Sequence, residues 1–311
     1  MRTVWTMGFV AAAGLSFAFP DFIVFRFTQA VIWMIALLGL VLLCGISGQF
    51  SFAQAALFGM GGYAAGMLAA HSSLPAYAAF VVAPLVGYAA GYGLGRVASA
   101  YSVWTQALVS YALAIAFPQL LRWPPIADWT GGVHGLYLDA PLAPWGLTSG
   151  DRWMFLLALT ILALGVAVAA NVIDSRSGRA LMAARDDDLA AAAQGIPVVH
   201  VRSVASGLAG SYLALAGCLS AFQFGFVGPT AYNITLSIQM LFGLVVGGMY
   251  SPAGAIVGGL FLQFFPDVVA GLGKGLSGLL YALLLIGAMV AMPKGIAGVL
   301  KRMPRQKPQL K

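Results

Sequence analysis

Long apolar blocks alternate along the chain with short polar punctuation. A helix needs about 20 apolar residues to cross the hydrocarbon core of a bilayer. By that ruler the pattern predicts ten spans, near 4–19, 25–45, 53–70, 76–96, 102–121, 152–173, 204–222, 234–250, 254–270 and 276–292. Gly and Pro interrupt the last three. Met1 to Phe19 has an early Arg and an apolar centre, but Ser16-Phe17-Ala18 is a poor small-residue cleavage motif, so this block reads as the first span rather than a signal peptide. Two connections are long: 122–151, rich in Pro, Gly, Trp and Asp, and 174–203, which is highly charged.

Composition agrees with this division. Of the 311 residues 61% are hydrophobic and 8% charged, with mean hydropathy +0.91. A soluble domain carries about 25% charged residues, so this chain cannot cover a globular surface with polar groups. The expected class is an all-α polytopic integral membrane protein, with one transmembrane domain over 1–293 and a basic tail over 294–311. The net charge of +7 arises without any Glu. With the N-terminus inside, twelve of the sixteen Lys and Arg residues fall on the cytoplasmic side, among them Arg2, Arg96, Arg176, Arg179, Arg185 and Arg202. The positive-inside rule therefore favours N-terminus and C-terminus both cytoplasmic, and it accounts for the basic charge without nucleic acid.

Several chemistries are missing. Gly273-Lys274-Gly275 lacks the Ser or Thr and the first Gly of a phosphate-cradling loop. His71, His134 and His200 are far apart and show no metal-ligand spacing. No Asp falls at the centre of a predicted span, which disfavours proton coupling through a buried acid. Cys44 and Cys218 lie in apolar runs and read as packing residues. Glycines at spacing four (Gly62 and Gly66; Gly87, Gly91 and Gly95; Gly243 and Gly247; Gly254 and Gly258) predict close helix packing in lipid.

Polar residues stand out where they are costly. Gly45 to Tyr63 reads GISGQFSFAQAALFGMGGY, directly after a strongly apolar run. Gly45, Ser47 and Gly48 interrupt a helix at or near membrane depth, where irregular backbone is tolerated only inside protein or beside a water-filled cavity. Gly48, Gln49, Ser51 and Gln54 are accordingly candidates for a translocation path, with simple hydrogen bonding between helices as the alternative. In the charged connection, Arg179 to Gln194 is rich in Ala and Leu and predicts one cytoplasmic helix, closed by Gly195 and Pro197. Its Ala-rich surface makes a poor lipid anchor and a good surface for another protein. Thr130-Gly-Gly-Val-His-Gly-Leu136 is a Gly-rich outer turn.

Three of these stretches carry a family resemblance. Arg179-Ala-Leu, Arg185, Asp186, Asp187, Asp188, then Ala190-Ala191 before Gly195, resembles the coupling loop of ABC importer permeases, without that motif's Glu. The Gly45 to Gly59 stretch, Thr130-Gly-Gly with Gly135-Leu136, and Pro293-Lys-Gly-Ile-Ala-Gly298 resemble the branched-chain amino acid permease family of the LivM type. The resemblance implies a type II importer fold with about ten spans, in the bacterial inner membrane. It implies a second permease of the LivH type, two cytoplasmic ATPases that bind ATP and Mg, and a periplasmic solute-binding protein. The chain itself would perform no chemistry and hold no cofactor. Arg179, Arg185, Asp186 to Asp188, Ala190, Ala191 and Gly195 would then meet an ATPase, and Thr130, Gly131, Gly132 and His134 would form an outer gate or meet the binding protein. Substrates of similar importers include branched-chain amino acids, urea, short amides and aromatic acids. A self-sufficient channel for a small neutral solute, or a structural membrane subunit, are the other classes.

Overall fold

The computed structural model describes residues 19–72, 74–99, 103–141 and 149–270, with Gly14 and Ala143. The predicted span 276–292, the tail, the Pro293 motif and nearly all of the span 4–19 lie outside the described residues. The first described helix, α1 (Asp21–Leu40), runs without a gap into a π-wound turn, Val41–Ile46. After a non-helical stretch come α2 (Gln54–His71), α3 (Ala79–Ala98), α4 (Val103–Leu120) and a short α5 (Pro124–Thr130). Then follow α6 (Gly150–Asp174), α7 (Arg176–Asp186), α8 (Asp188–Ala193), α9 (Val198–Phe224), α10 (Ile234–Gly247) and α11 (Pro252–Ala270). Two short strands, β1 (Leu136–Tyr137) and β2 (Phe226–Val227), pair antiparallel with Leu136 opposite Val227.

Four described stretches are long and apolar enough to cross a bilayer by length and composition: Asp21–Ile46, Ala76–Ala98, Gly150–Asp174 and Val198–Phe224. They are buried very differently. The most apolar window of 21–46 is 94% buried and that of 198–224 is 72% buried, against 28% for each of the other two. A helix apolar on every side belongs in the middle of a bundle. So α1 forms the axis, packed by α6, α9 and α11, while α3 and α6 turn a wide apolar face outward.

The glycine pattern has two different outcomes. Gly87, Gly91 and Gly95 of α3 lie against Gly210, Ser206 and Ser203 of α9, and Gly243 and Gly247 of α10 lie against Gly254, Gly258 and Leu262 of α11. Those are helix-on-helix approaches, as small residues permit. Gly62 and Gly66 instead make room for the side chains of Tyr232 and Leu136. The Ser211 hydroxyl of α9 donates to the carbonyl of Pro84, inside α3, at 2.9 Å.

The predicted spans 53–70, 102–121, 234–250 and 254–270 are not among those four long stretches, and two predicted elements differ in shape as well. The single helix over 179–194 is two helices, because Asp187 adopts extended backbone (φ −156°, ψ 114°) and starts α8 afresh. The predicted span 234–250 is a helix of 14 residues, which reaches about 21 Å at 1.5 Å per residue. That is short of a hydrocarbon core about 30 Å thick. The chain enters it part-way down the bundle: Gly61 of α2 packs on Ala214, near the middle of α9, and Tyr232 sits beside Gly62.

A broken helix, a charged helix pair and a half-length helix

The break after α1 is built from backbone the sequence could not keep helical. The Ser47 N–H donates to Leu42 O and the Gln49 N–H to Leu43 O, both at 3.1 Å, so the turns widen before the chain leaves the helix. Gly48 then takes φ +70°, a left-handed conformation that a side chain disfavours. Gln49 is 2% exposed and every polar atom of its side chain is engaged. Its Nε2 donates to Ser47 Oγ at 2.6 Å and to the Arg202 carbonyl at 2.9 Å. Its Oε1 receives Gln106 Nε2 at 2.9 Å, Ser206 Oγ at 3.1 Å and Ser99 Oγ at 3.3 Å.

The start of α2 is capped in tertiary fashion. The first N–H groups of a helix have no partner within it. Here Ser51 Oγ accepts from Ala53 N at 3.2 Å, Ser110 Oγ from Phe52 N at 3.0 Å, and Ser237 Oγ from Ala55 N at 2.9 Å. Gln54 Nε2 donates to Ser51 O, and Gln54 Oε1 is buried without a partner. Ser51, Gln106, Ser110 and Ser206 line one small pocket among apolar neighbours. Of the four path candidates, Gly48 and Gln49 thus knit the break together, Ser51 also faces the pocket, and Gln54 holds the start of α2.

The helix pair α7–α8 lies against this break. Asp187 Oδ1 accepts from Leu189 N at 2.9 Å and Ala190 N at 3.0 Å, capping α8. The far end closes as expected: Gly195 has φ +81°, Gly195 N donates to Ala192 O at 2.9 Å and Ile196 N to Ala191 O at 3.1 Å. That pair of bonds is the Schellman arrangement. Asp188 forms a two-pronged salt bridge with Arg202, at 2.6 and 2.8 Å, and Arg202 also donates to Ala184 O at 3.1 Å. Arg185 reaches the Gly45 carbonyl at 2.5 Å and lies over the Tyr250 ring, 4.7 Å from its centroid. Arg179 donates to Asp174 O at 3.1 Å. Ala191 is buried, while Leu189 is 83% exposed and Ala190 and Ala192 are exposed beside it.

At the opposite end, the Thr130 hydroxyl is buried and donates to Leu121 O at 2.7 Å, tying the end of α5 to that of α4. Gly131, Gly132 and Gly135 all have positive φ, and His134 N donates to Gly131 O at 3.0 Å while its side chain is exposed. This turn delivers β1, whose Leu136 fills the space over Gly66 and pairs with β2. From β2 the chain descends through a 3-10 turn, Pro229–Ala231, to Tyr232, wedged among Phe58, Tyr63 and Phe117 with ring centroids at 5.9–6.4 Å. Asn233 caps α10 by accepting from Leu236 N at 3.2 Å. On α10, Thr235, Ile238 and Gln239 are exposed while Ser237 is fully buried.

No motif in the sequence marks Gln106, Ser110, Ser206, Ser237, Arg202, Thr235 or Gln239 as part of this site. The one pattern that points to them is polar residues one turn apart inside apolar spans, as with Gln106 and Ser110. Among the described residues no group of His, Cys, Asp or Glu could hold a metal ion.

An axial helix buried in apolar neighbours, a broken helix knitted by buried amides and a half-length helix with an open face describe an α-helical bundle with several candidate membrane spans. The chain belongs to the family described as branched-chain amino acid transport system / permease component, which matches residues 22–290. It is 24% identical to the high-affinity branched-chain amino acid transport system permease protein LivM of Salmonella typhimurium (strain LT2), and 25% identical to its counterpart in Escherichia coli (strain K12). Each alignment covers 91% of this chain and 70% of the relative. No solved structure matches the chain significantly.

Proposed function

We propose that this chain is one permease subunit of an ATP-driven importer for branched-chain amino acids or a related small solute. It forms half of the translocation path in a bacterial inner membrane, beside a second, LivH-type permease. Two cytoplasmic ATPases hold the ATP and Mg, and a periplasmic solute-binding protein delivers the solute; this chain carries no chemistry of its own. The observation that carries the reading is the helix pair α7–α8, which spends one face on the break after α1 and leaves Leu189, Ala190 and Ala192 uncovered. An apolar knob on a capped cytoplasmic helix suits a groove on another protein far better than it suits water.

The path itself we assign to the open side of α10. Irregular backbone part-way down a bundle is tolerated only inside protein or beside water. Thr235 and Gln239 present hydrogen-bonding groups there that lipid would penalise. The groups are neutral, which suits a permissive path with selectivity residing in the binding protein. The test is co-purification of the tagged chain in mild detergent followed by uptake in liposomes. Two ATPases and a second permease should be recovered, and uptake should require ATP. Recovery of the chain alone, with solute flux in the absence of ATP, would overturn the reading in favour of a self-sufficient channel.

A further inference from the structure

Arg185 sits where three separate parts of the chain meet. It belongs to the last turn of α7, its Nη1 donates to Gly45 O at 2.5 Å in the π-wound turn after α1, and its guanidinium covers Tyr250 in the turn between α10 and α11. Gly45 in turn packs directly on the Met249 carbonyl of that same turn. The aliphatic stem of Arg185 fills the place where Gly48 has no side chain, its Cγ lying 2.6 Å from where a Cβ would be. A guanidinium can donate to a carbonyl and stack on a ring at once; a lysine ammonium cannot reproduce both.

A second arginine fastens the same helix pair from the other side. Arg202, in the first turns of α9, holds Asp188 and Ala184 O with its side chain and receives Gln49 Nε2 on its carbonyl. The cytoplasmic pair is therefore attached through Arg202 to the network around Gln49, and through Arg185 to the lower end of α10, the helix whose open face carries Thr235 and Gln239.

We infer that Arg185 is a positioning residue that links movement of the cytoplasmic helix pair to the α10–α11 turn, with Tyr250 and Gly45 as its seat, rather than a residue whose main role is to contact an ATPase. The inference rests on the proposed function and deepens it. Moving α7 pulls on Gly45 and Tyr250 together, so the lower end of α10 follows.

The test uses the whole complex reconstituted in liposomes and reads solute transported per ATP hydrolysed. For Arg185→Lys and for Tyr250→Leu, ATPase recovery and ATP hydrolysis should stay near wild type, while the transport-to-hydrolysis ratio falls at least about fivefold, the range of a modest coupling free energy. Tyr250→Phe keeps the ring face and should keep the ratio. The double variant Arg185→Lys/Tyr250→Leu should be no worse than the single ones, as expected of two groups in one contact. A ratio unchanged in Arg185→Lys, whether or not assembly or hydrolysis declines, overturns the link and leaves the proposed function standing. ATPase recovery lost in Arg185→Lys with the ratio intact assigns the residue to the ATPase contact instead. A wild-type chain that recovers no ATPase overturns both.

Discussion

The side-chain amides of Gln49 and Gln106 meet at 2.9 Å, joining the non-helical run after α1 to the first turns of α4. Neither is free to serve solute while this bond holds. Gln49 is already shared among Ser47, Ser99, Ser206 and the Arg202 carbonyl, and Gln106 is 6% exposed. Gln49 is better understood as the knot that makes a break in a buried helix affordable.

Replacing that knot should cost stability before it costs transport. Gln49→Leu leaves several buried donors and acceptors without partners, each worth about 1–3 kcal/mol, so the expected loss is about 3 kcal/mol after relaxation. Unfolding of the purified chain in detergent, run as a double-mutant cycle with Gln106→Leu, measures it. Interhelical hydrogen bonds in membranes average about 0.6 kcal/mol, so a coupling no larger than that would reduce the network to ordinary contacts.

Gly48→Ala tests the geometry of the same break. The residue has φ +70°, and a left-handed conformation costs a residue with a Cβ about 1–2 kcal/mol. The new methyl also meets Arg185 Cγ. The loss in thermal stability should therefore be smaller when Gly48→Ala is made in an Arg185→Ala background, where only the backbone part remains. Equal losses in both backgrounds would show that Arg185 does not fill the Gly48 space.

The open face of α10 is testable by labelling. In a chain with Cys44 and Cys218 replaced by Ala, cysteines at Thr235 and Gln239 should react with a small water-soluble thiol reagent in the assembled transporter, and labelling should block uptake. A cysteine at Ser237, fully buried on the opposite side, should stay unreacted. Protection of Thr235→Cys and Gln239→Cys in every state of the transport cycle would put lipid or a fixed partner on that face and move the path elsewhere.

Much of this architecture was legible in the pattern of apolar blocks, because bilayer thickness sets helix length and the hydrocarbon core forbids open backbone. The break at Gly48, the cap at Gly195 and the α3 glycine stripe all come from local rules, and each stands where those rules put it. What was hidden is tertiary. Periodicity cannot tell a full span from a half-length one when Tyr232 and Asn233, ordinary residues, start a helix part-way down the bundle. Nor does Arg202 announce its bond to Asp188, or Ser237 its role at the start of α2, since these partners lie on other elements. Helix propensity over 179–194 favoured one helix, and the cap offered by Asp187 overrode it.

That cap separates the three consecutive aspartates by role, and so by the sign of their effects. Asp187 starts α8 by accepting from Leu189 N and Ala190 N, and loss of such a cap costs about 1 kcal/mol. Asp187→Ala should thus raise amide exchange through 189–193, while Asp187→Asn, which can still accept, should not. Asp188 pairs with Arg202 but is half exposed, and exposed pairs are worth about 0–1 kcal/mol, so Asp188→Asn should loosen the pair only slightly. Asp186 ends α7, where the helix dipole disfavours a negative charge by about 0.3–1 kcal/mol. Asp186→Asn should leave exchange unchanged or slow it. Hydrogen exchange on the three single variants, measured at low ionic strength, checks the order: Asp187→Ala clearly faster, Asp188→Asn marginally faster, Asp186→Asn level or slower. Equal effects at all three positions would mean that the acidic run acts as bulk charge and that the start of α8 does not depend on Asp187.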